Sequence, residues 1–251
     1  MYLLSVEADA KTVKGRKKGY LTGIMYLAPF KLSGYQVCPM AEIAGCVGDC
    51  LNTAGHGGMA KADADTITVD GYTVKMNTVQ AARIARTRML MENQDAFFEQ
   101  LIKEIRSLIR RAIKNGFTPV VRLNGTSDIR WENLEYQGKT IFQWFPEIQF
   151  YDYTKIPNRA IKNIPNYHLT FSYSNRPEFQ SYFSKAINFY GNAVNYAVVF
   201  MGKILPKQFH SRTVINGDES DLRFADPTGV VVGLLAKGNA KKSTSVFAVL
   251  A

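Results

Sequence analysis

Beyond residue 116 the chain repeats one pattern, a short apolar run that ends in polar residues. It occurs in TPVVRLNGTSD (118–128), EIQFYDYTK (147–155), YHLTFSYSN (167–175), NYAVVFMG (195–202), RTVINGDESD (212–221) and GVVVGLLAKG (229–238). Runs this short, rich in β-branched and aromatic residues and apolar on successive positions, predict strands buried on both faces. GYLTGIMYLAPF (19–30), closed by Pro29, adds a strand near the start and brings the count to about seven.

Two stretches carry a helical period instead. Residues 95–116 place Phe97, Phe98, Leu101, Ile102, Ile105, Leu108, Ile109, Ala112 and Ile113 on one stripe, with Asp95 at the start and Gly116 after the end, and predict a long amphipathic helix. Residues 78–91 predict a second helix with Arg83 and Arg86 on neighbouring parts of one face and Arg88 turned away. A further helix is expected over 178–190, and single turns over 140–145 and 157–163. TITVDGYTVKM (66–76) alternates apolar and polar positions about Asp70-Gly71, a pair suited to a two-residue hairpin turn.

Buried strands separated by helices imply an α/β fold with a mostly parallel sheet covered on both faces. The expectation is one domain over 1–251, its sheet closed or nearly closed as a partial TIM-like β/α barrel with an inserted β-hairpin. An open doubly wound sheet is the alternative. In either architecture ligands bind at the carboxyl ends of the strands, where the polar clusters fall. Asp128, Asp152, Lys155 and Asp218 are the candidate acid–base residues, and Arg122, Asn124, Ser127, Ser172, Asp221 and Lys237 the candidate substrate contacts. Asp226, beside Pro227, reads as a turn residue, and His168 as a core histidine.

Composition changes this picture little. The hydrophobic content of 46% is that of an ordinary globular protein, and no apolar run approaches the roughly 20 residues of a membrane span. A net charge of +10 permits a polyanionic partner such as nucleic acid, yet the basic residues are dispersed except for 11–18, where five of eight are Lys or Arg. That stretch reads equally as a solvated loop and as a binding arm. No P-loop, Rossmann glycine fingerprint or Ser-His-Asp order is present, so NTPase, nicotinamide and hydrolase readings lack motif support.

The cysteines change it more. All three lie in CPMAEIAGCVGDC, as Cys38, Cys46 and Cys50, spaced C-x7-C-x3-C and followed by the glycine-rich LNTAGHGGM. An odd number of clustered thiols, with no signal peptide, points to a reducing compartment and to metal rather than disulfides. Two centres fit. A [4Fe–4S] cluster on three thiolates leaves one iron open to a small ligand, whereas His56 as a fourth ligand would complete a Cys3His zinc site. Because the loop 37–59 follows the first predicted strand, it should share the mouth of the sheet with the polar clusters.

CPMAEIAGCVGDCLNTAG, RLNGTSDIRWEN, FYDYTK, YHLTFSYS, VINGDESDLRFADP and VVGLLAKG together resemble the gene-product-eighty-eight family of bacteriophage proteins, over residues from about 37 to the end. The resemblance implies a phage protein acting in the host cytoplasm, and a shared fold rather than a reaction. A three-cysteine loop after the first strand of a partial barrel also resembles the radical S-adenosylmethionine enzymes. The spacing is longer than their CxxxCxxC and no acidic glycine motif follows, so that likeness extends to the cluster and not to S-adenosylmethionine. Two functions are expected: an iron–sulfur enzyme acting on a small-molecule substrate or with a redox partner, or a zinc protein that binds a host protein or nucleic acid.

Overall fold

The computed structural model describes residues 1–7 and 10–250, with the backbone alone for Ala10 and Lys11, so the Lys11 side chain of the basic stretch lies outside the described set. The strands in chain order are β1 (Leu4–Val6), β2 (Tyr20–Met25), β3 (Thr66–Val69), β4 (Tyr72–Lys75), β5 (Thr118–Arg122), β6 (Glu135–Tyr136), β7 (Lys139–Thr140), β8 (Gln149–Thr154), β9 (Tyr167–Ser172), β10 (Tyr196–Met201), β11 (Gln208–Phe209), β12 (Arg212–Asn216), β13 (Val231–Leu235) and β14 (Val249–Leu250). The α-helices are α1 (Ala10–Arg16), α2 (Thr78–Glu92), α3 (Gln94–Lys114), α4 (Ile141–Trp144) and α5 (Gln180–Tyr190).

Ten strands form one sheet, in the order β1-β2-β5-β8-β9-β10-β13-β12-β11, with β14 against the end of β10. The seven strands from β2 to β12 are mutually parallel, and they are the seven expected from the apolar runs. Residues Asp70 and Gly71 both take positive φ, 47° and 78°, and close the β3–β4 hairpin, which stands apart as its own two-stranded sheet.

The expected barrel is not what the chain builds. The free side of β2 is occupied by β1 and that of β12 by β11, both antiparallel, and these edge strands take the hydrogen-bonding positions through which a barrel would close. The result is an open mixed sheet. It also follows that the cysteine loop leaves the second strand of the chain rather than the first.

The long helices α3 and α5 lie on one face of the sheet. Asn77 and Asn93 cap α2 and α3 by accepting hydrogen bonds from the backbone N–H groups of Gln80 and Ala96. The stripe from Phe97 to Ala112 on α3 is buried, with Val121, Leu123 and Phe150 of the sheet in the same core, each large side chain contributing about 1.5–3 kcal/mol. Ile113, expected on that stripe, points outward and is 69% exposed. α5 covers the β9–β10 region, where Phe171, Val198 and Phe200 share a second core with Ala186.

The opposite face is covered by α1 and by the connection 217–227, not by the helices expected there. Leu222 packs on Val120 and Tyr151, and the Phe224 ring stands 5.5 Å from that of Tyr20 and 5.4 Å from that of Tyr151. Most of the basic stretch 11–18 therefore belongs to a helix laid on the sheet. No described helix is long and apolar enough to cross a membrane.

Candidate metal centre

After Met25 the chain leaves the carboxyl end of the sheet and winds into a series of tight turns. The Ala28 N–H donates to Thr87 Oγ1 of α2 at 2.8 Å, and Val37 O accepts from the Asp128 N–H at 2.8 Å, which fixes the loop to its neighbours just before Cys38. Successive turns over 38–46 bring the Cys46 N–H to Ala41 O at 3.1 Å. Gly45 makes the sharpest bend, with φ of 67°; a Cβ there would lie 2.2 Å from Cδ of Arg176. Cys50 then opens the helical turn Leu51–Thr53, its sulfur 3.5 Å from the Asn52 N–H.

The loop is clamped from above as well. Ser174 Oγ donates to Ala44 O at 2.7 Å, Arg176 to Glu42 O at 3.0 Å, and Asn239 to Gly48 O at 3.3 Å, while Ser245 holds the buried Asp49 carboxylate. Segments following β9 and β13 thus hold one cysteine loop in place.

All three cysteines are free and half-buried. Burial pushes the Cys38 thiol well above its ordinary value, and the negative charges of Cys50 and Cys46 push it further in the same direction. Burial likewise raises Cys50 to about 11, with Cys46 adding to the shift. Cys46 is also raised by burial, against the opposing field of Lys155. Each thiol therefore lies within the field of the other two.

Five cationic side chains are enclosed near the carboxyl ends of the strands or beneath the connection 217–227. Arg122 pairs with Asp221 at 3.0 Å, Arg223 with Asp226 at 3.2 Å, and Arg159 with Glu132. Arg83 and Lys155 have no carboxylate ion pair among the described residues. Arg83, 7% exposed, donates to the side-chain and main-chain oxygens of Asn52 and lies over the Tyr26 ring, its Nε unpartnered. Lys155 Nζ donates to Ser172 Oγ at 2.8 Å, Ser172 O at 3.1 Å and Tyr173 O at 3.3 Å. These two cations favour thiolate, Arg83 at Cys50 and Lys155 at Cys46, and Asp128 acts on Lys155 as well. Arg83 is turned inward, whereas Arg86 donates to Tyr2 O at 2.7 Å and Arg88 is exposed.

A single zinc ion needs its sulfurs at about 2.3 Å, so all of them must converge on one point. No group of three His, Cys, Asp or Glu among the described residues does so. His56 is exposed, and its carbonyl rather than its ring is engaged, accepting from Asn77 at 3.2 Å. A cluster attaches each thiolate to a different iron and tolerates wider spacing. What the loop brings together is three thiols in one another's field, with Lys155 acting on Cys46 and Arg83 on Cys50.

Of the polar residues at the strand ends, Asp128 and Lys155 lie within the field of the cysteines, and the others are held in hydrogen bonds of their own. Asp152 is fully buried and accepts from the Asn124 N–H at 2.7 Å and Tyr167 Oη at 2.9 Å; burial pushes its carboxyl up to about 7. Asp128 accepts from Thr154 Oγ1 at 2.8 Å and from the Lys155 N–H at 2.7 Å, with Arg159 at 3.6 Å. Asn124 Oδ1 accepts from Ser127, Ile129 and Trp131 and closes its own loop. Asp218 accepts from Lys237 at 2.7 Å, and Arg122 is committed to Asp221. His168 is half-buried, 3.4 Å from Thr170 Oγ1, as expected of a core residue.

Arg159 and Glu132, which tie this network together, gave no sequence signal, because a lone charge in a polar stretch looks the same paired or free. The closing segment 239–248 was equally silent. A family model described as Gene product 88 matches residues 2–249. No curated protein and no solved structure matches the chain.

Proposed function

The chain belongs to the Gene product 88 family, and from that premise we propose that this phage protein carries an iron–sulfur cluster of the [4Fe–4S] type on Cys38, Cys46 and Cys50. The observation that supports the reading is the placement of three free, mutually coupled thiols between the two enclosed cations that lack a carboxylate ion pair, Arg83 and Lys155. Thiolates would add counter-charge beside Arg83 and beside Lys155, which Asp128 also faces. A centre of net negative charge held on them adds to it.

When bound, such a cluster supplies one-electron chemistry and, with three cysteines, one iron free to take a small ligand. The chain's own residues do the rest. Lys155, fixed by three acceptors, and Arg83, fixed by Asn52, hold positive charge against the thiolates and favour the reduced, more negative state. The clamps from Ser174, Asn239 and Ser245 limit access of water to the loop. Host cytoplasm, where thiols stay reduced, is the compartment this chemistry requires.

The test is the iron, zinc and acid-labile sulfide content of protein purified without oxygen, with visible spectra before and after dithionite. Iron and sulfide in near-equal amounts, and a broad absorption that bleaches, are expected. Stoichiometric zinc with a featureless spectrum would overturn the reading.

A further inference from the structure

Helix α3 turns its apolar stripe into the core and presents a second stripe to solvent. Lys103, Arg106, Arg110 and Lys114 are all exposed and recur at intervals of three, four and four residues. At about 100° per residue they fall within an arc of about 80°, in a row roughly 16 Å long. Among the described residues no carboxylate pairs with any of them. The acidic side chains in the middle of the helix are engaged elsewhere. Glu99 accepts from Tyr136 Oη at 3.1 Å, and Glu104 from the N–H groups of Leu3 and Leu4 at 2.8 and 2.7 Å.

The row continues onto a second segment. The Thr118 N–H donates to Gly19 O at 2.8 Å, which brings the turn after α1 beside the end of α3. Lys17 and Lys18 in that turn are exposed and form no ion pair among the described residues, although Lys18 lies in the field of Asp226. Between the two segments, Arg16 and Arg111 share the single carboxylate of Glu7, at 2.7 and 2.5 Å, and Arg16 lies over the Phe117 ring. The junction is fixed and carries a surplus positive charge of its own. Segments remote in the sequence thus build one basic face.

This face works against the helix that carries it. Lys103 with Arg106, Arg106 with Arg110, and Arg110 with Lys114 are like charges three or four residues apart, which disfavours a helix, whereas a merely solvated face mixes both signs. Ile113 is the one large apolar side chain exposed on α3. The face therefore lacks the apolar and aromatic centre of a protein interface, an apolar surface to enter a bilayer, and rings on which unpaired bases stack.

We propose that this face binds the sugar–phosphate backbone of a nucleic-acid duplex, without reading its sequence. Its six unpaired cations reach the number of roughly 6–10 phosphate contacts that such binding employs. At one phosphate per about 3.4 Å of each strand, the row on α3 spans about five phosphates. Nothing in this assignment depends on the cysteines.

A fluorescently labelled DNA duplex of about 20 base pairs is the probe, followed by anisotropy between about 50 and 200 mM salt. Saturable binding is expected, with log K falling linearly with log salt at a slope of about −5. The double variant Arg106→Ala, Arg110→Ala should lose at least about tenfold in affinity and about 2 in slope. Lys61→Ala with Lys203→Ala removes the same charge from exposed residues of other loops and should bind as wild type. Because the two arginines repel each other, their removal should leave thermal unfolding at or above that of wild type, which separates lost contact from lost folding. An RNA duplex of the same sequence should compete for the same residues, and the tighter of the two identifies the source of the backbone. Absence of binding at the lower salt, or equal loss in the two double variants, would overturn the proposal. So would tighter binding of phosphatidylglycerol vesicles or of polyglutamate than of either duplex, which would assign the face to a membrane or to an acidic protein.

Discussion

Arg122 and Asp221, 99 residues apart in the chain, meet at 3.0 Å with side chains only 12% and 5% exposed. The pair pins the connection 217–227 to the middle of the sheet and keeps that face closed. Removing one partner strands the other charge in a poorly solvated place, so Arg122→Met or Asp221→Leu alone is expected to lower stability by about 3–5 kcal/mol. The double variant should lose less than either single one. Urea unfolding of the three proteins measures this, and a double variant weaker than both singles would refute the pairing.

The cysteines and His56 are separated by exposure. Replacing Cys38, Cys46 or Cys50 with Ser is expected to remove most bound metal, whereas His56→Ala retains it. Metal per chain after anaerobic purification is the measurement. Loss in His56→Ala equal to that in the cysteine variants would make the histidine a ligand.

Asp152 gives a pH signature. Burial raises its carboxyl from the ordinary carboxylate range to about 7, so the folded state holds its proton more firmly than the unfolded chain. That stability is complete below about pH 4 and is lost as pH rises through about 7. Wild type should therefore lose stability between about pH 5 and pH 8, and Asp152→Asn should lose less over the same interval, by on the order of 1–4 kcal/mol. Identical slopes in the two proteins would show that Asp152 is ionised throughout.

Gly57 approaches the loop so closely that a Cβ there would lie 2.4 Å from Asn52 O and 2.8 Å from Arg83 Nη1. Gly57→Ala should cost about 1–3 kcal/mol and displace Arg83, lowering metal retention. Gly48→Ala, with nothing within 4 Å of the added methyl, is the control and should behave as wild type.

What could be read from the sequence follows from how far each signal extends. The seven parallel strands are buried on both faces and leave continuous apolar runs, and α3 leaves a stripe five turns long. Closure of the sheet depends on β1 and β11, three and two residues long, too short for any period to register. The polar strand ends were legible as clusters but not as a site. Asp128 and Asp152 find partners on β8 and β9, Arg122 and Asp218 in later connections, and a carboxylate tied in this way has the same local sequence as one that lines a mouth. The cysteine cluster was visible; the two cations beside it, supplied by α2 and by the end of β8, were not visible as a pair.

The order of the strands has a consequence for synthesis. β13 lies between β10 and β12 although it is made after both. On the ribosome, β12 emerges with only the two-residue β11 to pair with, and Asn239 and Ser245 have not yet reached Gly48 and Asp49. Until those last residues arrive, the three thiols sit under an unfinished roof. That interval is when the loop that carries the thiols lacks its contacts at Gly48 and Asp49.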